Sequence, residues 1–123
     1  MNSHSTLEGK TIAVVDDHEV LRRSMQGLLE SYGAKVLSYN GGNDFLQDLP
    51  SADCVVIDYY MPGLNGLELA WELQRRAYHT PVILLSGMTG EIPKNASALG
   101  ITEVVDKLSG ADELVRTIHR HAT

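Results

Sequence analysis

Residues 55–63 read VVIDYYMPG, and this stretch decides the fold. Val55, Val56 and Ile57 form an unbroken β-branched run, the pattern of a strand buried on both faces. The run ends in a carboxylate, Asp58, and Met61-Pro62-Gly63 then turns the chain. Hydrocarbon does not solvate an ionised acid. A carboxylate at the edge of a core therefore implies a cation beside it or a chemical task for it.

Working outward, the chain alternates strand and helix patterns. Residues 11–16 (TIAVVD), 34–39 (AKVLSY), 53–58 (DCVVID), 81–86 (PVILLS) and 101–106 (ITEVVD) read as strands. From Glu19 to Tyr32, the residues Leu21, Met25, Leu28 and Tyr32 recur at helical spacing, and Gly33 stops the helix. GGNDFLQDLP is a turn followed by a short helix that Asn43 caps and Pro50 ends. Residues 67–76 predict a helix with Leu67, Ala70 and Trp71 on one face and Leu69 and Leu73 beside it. Gly87, Gly90 and Pro93 leave room for at most a short helix before Gly100. A last helix runs from about Ala111, with Leu114, Val115 and Ile118 inward and Ser109 or Gly110 near its cap. Five strands separated by helices predict a three-layer α/β domain, with a parallel sheet and right-handed crossovers.

Composition narrows the function. The chain has 123 residues, enough for one domain, and a net charge of −6. Its basic pairs, Arg22-Arg23 and Arg75-Arg76, each have acids nearby, which argues against direct binding of nucleic acid. No run reaches the roughly 20 apolar residues of a membrane span. Residues 1–9 read as a polar tail and residues 10–123 as the domain. Cys54 is the lone cysteine and reads as a small core residue, which fits a reducing cytoplasm, the expected location. The five histidines are scattered and predict no metal site of their own.

In parallel α/β sheets reactive groups gather beyond the carboxyl ends of the strands. Strand one ends in Asp16-Asp17, strand three in Asp58, strand four in Ser86-Gly87 and strand five in Asp106-Lys107. Three carboxylates on one rim repel each other unless a cation joins them, and an all-oxygen ligand set suits Mg²⁺. An ionised aspartate can attack phosphorus to give an acyl phosphate, while an ammonium and a hydroxyl stabilise the transferring oxygens. Asp16-Asp17 could instead cap the following helix, but capping needs one acid.

The stretches VVDDHEVLRRSM, VVIDYYMPGLNGLEL, PVILLSG and VVDKL, in that order, resemble the receiver domain of two-component response regulators, the family of the chemotaxis single-domain regulators. The resemblance covers residues 10–121. It implies a flavodoxin-like (βα)₅ doubly wound sheet with strand order 2-1-3-4-5. It also implies that Asp58 is the phosphoacceptor, that Asp17 binds Mg²⁺ directly, and that Asp16 does so directly or through water. The main-chain carbonyl of Tyr60 would join the metal, Ser86 would be the switch hydroxyl, and Lys107 would hold a phosphoryl oxygen. Pro62 and Gly66 match the family's turn.

The implied partners are a sensor histidine kinase or phosphotransfer protein, and a downstream output protein or an output domain beyond this chain. The face made by the fourth helical segment, the fifth strand and the last helix would meet such a partner or a second copy. Catalysis in this family is self-directed, so no conventional enzyme is expected. An aspartyl-phosphate phosphohydrolase of the haloacid-dehalogenase type is the alternative, although it needs a second aspartate where Tyr60 stands. A docking module that is never phosphorylated is the third reading.

The chain departs from the family in three places. Leu108 follows Lys107 where proline is usual; a non-proline cis bond costs roughly 2.5–4 kcal/mol, so a trans bond is expected. Val104 replaces the aromatic that normally swings inward, which removes a rotating-ring readout. The segment between Gly87 and Gly100 is interrupted by glycine and proline. In addition, Tyr60 and Met88 are bulky and not acidic, which predicts slower loss of the phosphoryl group than in a Tyr60→Asn, Met88→Glu variant.

Overall fold

The computed structural model describes residues 6–87 and 96–122. Strands β1 (Thr11–Val15), β2 (Lys35–Tyr39), β3 (Cys54–Asp58), β4 (Val82–Ser86) and β5 (Glu103–Asp106) form one sheet. All pairs are parallel, as the strand and helix pattern predicts, and the order is β2-β1-β3-β4-β5, as the family resemblance implies. Helices α1 (Glu19–Ser31), α2 (Gly42–Asp48), α3 (Gly66–Arg75) and α4 (Ala111–His121) cover the two faces, with 3-10 turns at Ala96–Leu99 and Lys107–Ser109.

Strand side chains alternate faces, so each apolar run feeds two cores. Ile12, Val14, Cys54, Val56, Ile83, Leu85 and Val105 pack with Leu29 of α1 and Leu114, Val115 and Ile118 of α4. The intervening residues Ala13, Val15, Val55, Ile57, Val82 and Leu84 pack with Phe45 of α2 and Leu69, Ala70 and Leu73 of α3. Phe45 is fully buried and meets Tyr39 and Tyr78 edge to face, with centroids at 5.1 and 5.7 Å. The same alternation carries Asp16 and Asp58 onto the α1/α4 face, in series with Val14 and Val56.

Several local expectations are corrected. The polar stretch at the start is tied in at Leu7, which is fully buried and donates its N–H to the Tyr32 carbonyl. An apolar side chain near the end of a polar segment can still find the core. On α1 the fully buried residue is Leu29, while Leu21 is 47% exposed. The helix starts beyond the carboxyl end of β1, so its first turn overhangs the sheet. Trp71 is half exposed, and the α3 core face is Leu69, Ala70 and Leu73. Asn43 does not cap α2: Gly41 holds that place without a side-chain bond, and Asn43 already lies inside the helix. Helix α3 is capped instead by a capping box, in which Asn65 and Glu68 each accept the other's backbone N–H.

Gly66 is required for a reason other than backbone freedom. A Cβ there would lie 2.5 Å from Leu84 Cδ1, 2.7 Å from the Asp58 carbonyl oxygen and 2.9 Å from Tyr59 Cα. Its backbone N–H donates to the Tyr59 carbonyl at 3.0 Å. Gly66 lets α3 start against the end of β3. In this turn the positive φ belongs to Gly63, at 78°.

Candidate functional site

The rim is assembled by register. Asp58 pairs with Leu85 across β3 and β4, and Ser86 pairs with Asp106 across β4 and β5. Ser86 therefore stands one residue beyond the partner of Asp58, and Lys107 one residue beyond the partner of Ser86. Asp16 follows the last residue of β1, which lies beside β3.

Asp58 is only 4% exposed and Asp16 only 3%, whereas Asp17 is more open to solvent. One carboxylate oxygen from each of Asp16, Asp17 and Asp58 lies within 4.8 Å of the others. Lys107 Nζ lies 2.6 Å from Asp58 Oδ1, with the lysine side chain 32% exposed and that of Asp58 5%. That oxygen is buried and has no hydrogen bond of good geometry among the described residues, and the charge it faces there is that of Lys107. Ser86 is fully buried.

Asp16 is held from two sides. Its Oδ1 accepts the His18 N–H at 2.9 Å, and its carbonyl accepts from Arg22 Nη1 at 2.8 Å. The same guanidinium nitrogen reaches Asn40 Oδ1 at 3.2 Å. Burial pushes the Asp16 carboxyl above its ordinary range. The His18 N–H opposes this, the charge of Asp58 adds to it, Lys107 opposes it and Asp17 adds again. The helix-cap explanation for the acidic pair fails, because His18 is the N-cap of α1 and makes no side-chain bond.

The donor set fits a small hard cation. Three carboxylate oxygens gathered within 4.8 Å of one another fit such an ion, bound directly or through a water. Among the described residues, three carboxylates face one ammonium, an excess of negative charge that a divalent cation would offset. Asp58 Oδ1 is buried and faces the Lys107 ammonium at 2.6 Å, so a cation entering the cluster would share this carboxylate with the lysine.

The structure thus brings Asp16, Asp17, Asp58 and Lys107 together, with Ser86 on the adjacent strand end. Tyr60 lies just past β3, 49% exposed and stacked at a tilt on Tyr59 at 4.8 Å. Val104 is half buried against the α2/α3 core. No peptide bond is cis among the described residues, so the Lys107–Leu108 bond is trans as expected. Met88 lies outside the described residues, as does most of the segment before Gly100. Sequence reasoning missed Arg22 as the support of the Asp16 carbonyl. An arginine in the first turn of a helix has no marker in one sequence. It also missed the capping box, which the Asn65-x-x-Glu68 spacing signals.

The family model described as "Response regulator receiver domain" matches residues 12–119. The chain is 36% identical over 104 residues to transcriptional regulatory protein FixJ of Azorhizobium caulinodans, covering 81% of this chain and 49% of that protein. It is 32% identical over 120 residues to nodulation protein W of Bradyrhizobium diazoefficiens, covering 94% of this chain and 52% of that protein. The chain thus spans about half the length of these curated relatives. Among solved structures, response regulator TrrA of Thermotoga maritima, in complex with Mg²⁺ and BeF, superposes with a TM-score of 0.82 at 28% identity. That match covers 90% of this chain and 97% of that one.

Proposed function

The chain belongs to the response regulator receiver family, the phosphoacceptor switch modules of two-component signalling, and from that premise we propose how its own residues divide the work. Asp58 is the phosphoacceptor. One of its carboxylate oxygens attacks phosphorus, the bond from phosphorus to the donor breaks, and the donor leaves with that electron pair. Asp16 and Asp17, together with Asp58 and the Tyr60 carbonyl, hold Mg²⁺, which when bound neutralises the transferring oxygens. Lys107 pairs with a phosphoryl oxygen, and the Ser86 hydroxyl donates to another. The observation that carries this reading is the buried Asp58 Oδ1, 2.6 Å from Lys107 Nζ and grouped with two further acids.

In the cell the donor is a sensor histidine kinase or phosphotransfer protein, and the P–N bond to its histidine is the one that breaks. The added charge shifts a pre-existing equilibrium between surface conformations. With Val104 in place of an aromatic ring, that shift runs through the backbone or through another side chain. The affected face meets an output protein, an output domain or a second copy. Among the described residues no helix is long and apolar enough to cross a membrane.

Incubation with Mg²⁺ and acetyl phosphate tests the assignment. One phosphoryl group is expected on Asp58, and none in Asp58→Asn. Steady release of phosphate without labelling would turn the reading to a phosphohydrolase, and no reaction to a docking module. Tyr60→Asn is expected to shorten the phosphoryl half-life, since a bulky ring then no longer screens the approach of water.

A further inference from the structure

Asp106 has no part in the chemistry described above, yet it organises the segment that carries Lys107. Lys107 is the first residue of the 3-10 turn Lys107–Ser109, between β5 and α4. Asp106, the last residue of β5, uses two polar groups on that turn. Its carboxylate Oδ1 accepts the Leu108 N–H at 2.8 Å, and its carbonyl accepts the Ser109 hydroxyl at 2.6 Å. Packing offers the turn little, because Leu108 is 86% exposed. Asp106 itself stays extended, at φ −74° and ψ 129°, the conformation of a residue that caps the turn after it.

The identity of residue 108 makes this arrangement feasible. Leucine has a backbone N–H to give, whereas proline has none. Where a proline ring would fix the backbone after the lysine, this chain fixes it with a capped turn. We propose that Asp106 is a positioning residue for Lys107, acting as a hydrogen-bond acceptor and not as a charge, so that the ammonium is held at Asp58. The proposal rests on the phosphoacceptor reading of Asp58, and its test separates the two.

Asp106→Ala, Asp106→Asn and Asp106→Ser are compared in the full chain with three readouts. These are the rate of Asp58 labelling by acetyl phosphate at saturating Mg²⁺, the Mg²⁺ affinity, and the protection of the Leu108 amide against hydrogen exchange. Loss of a cap acceptor is expected to slow labelling about fivefold in Asp106→Ala, with Leu108 deprotected and Mg²⁺ affinity unchanged. Asparagine and serine keep a cap oxygen and are expected to recover labelling to within about twofold, with the amide protected again. Equal labelling and equal protection in Asp106→Ala overturns the proposal. So does an Asp106→Asn variant as impaired as alanine, since charge would then be the cause.

If the wild-type chain does not label at all, the phosphoacceptor reading falls, and the structural arm still decides this one. Leu108 protection and the Lys107 Nζ resonance must then change in alanine and stay in serine, and unchanged signals in both would overturn it.

Discussion

The two ends of the sheet carry acids under opposite terms. At the amino-terminal end Asp53 Oδ2 accepts the Thr11 N–H at 2.8 Å. Glu103, at the start of β5, is held by Arg120 at 2.6 Å and by His121 at 2.8 Å. Its carboxyl is lowered from the usual range by the hydrogen bond from His121 first and that from Arg120 second. At the carboxyl end, among the described residues, three acids share one lysine, an Asp58 oxygen is buried without a hydrogen bond, and burial raises the Asp16 carboxyl. The first end is satisfied and stabilises the fold. The second is kept unsatisfied, and its stability is given up for a ligand and a phosphoryl group.

The largest expected effect comes from Gly66→Ala, which strikes the junction that holds the rim in place. The new methyl would meet backbone at 2.7 and 2.9 Å, so β3 or α3 must move. Overpacking against backbone costs about 2–3 kcal/mol, to be read from urea unfolding. Because the clash is with the Asp58 carbonyl, labelling of Asp58 and Mg²⁺ affinity should fall along with stability. A variant that is destabilised but labels normally would show that the rim does not depend on this contact.

Matching isosteric changes at the two ends should move stability in opposite directions. Glu103→Gln removes the charge that Arg120 and His121 hold, and is expected to cost about 1 kcal/mol, since these groups are partly solvated. Asp58→Asn is expected to stabilise the metal-free protein by about 1 kcal/mol. At an effective dielectric near 20, each repulsion across at most 4.8 Å is at least about 3.5 kcal/mol, and the two together at least match the attraction of about 6 kcal/mol to Lys107 at 2.6 Å. With the attraction offset in this way, relief of the buried carboxylate's desolvation sets the sign. Unfolding curves taken in a chelator check both variants, and a loss of stability in Asp58→Asn would erase the contrast between the ends.

Much of the fold and of the rim is legible in the sequence. Two-faced burial of β1, β3 and β4 follows from near-continuous apolar runs, and five strand patterns with helices between them define the layers and place the strand-end acids on one rim. The features that stay hidden depend on geometry across the chain. Leu7 is one apolar residue in a polar stretch, and only the fold shows that it reaches the core under Tyr32. Leu28 and Leu29 are adjacent and equally apolar, so spacing alone cannot say which faces the sheet. Gly66 reads as a turn glycine, while its need arises from a strand end that the sequence does not show lying beside it. The Glu103 clamp joins residues far apart in the chain, on elements whose proximity only the topology supplies.

The smallest effect is one of pH, and it isolates the satisfied end. A carboxyl whose folded value lies below its unfolded one binds fewer protons when folded, so the unfolded state gains protons first as pH falls. The stability that Glu103 contributes is therefore complete above its unfolded value of 4.5 and is lost as pH drops through its lower folded value. Comparing wild type with Glu103→Gln across that window should show the gap between them closing towards low pH, by less than about 1 kcal/mol given the partial exposure of the group. Above the unfolded value of 4.5 the gap should be flat as far as Glu103 is concerned. A gap unchanged down to pH 3 would mean that neither Arg120 nor His121 holds Glu103 in solution, and the contrast between the two ends would then rest on the rim alone.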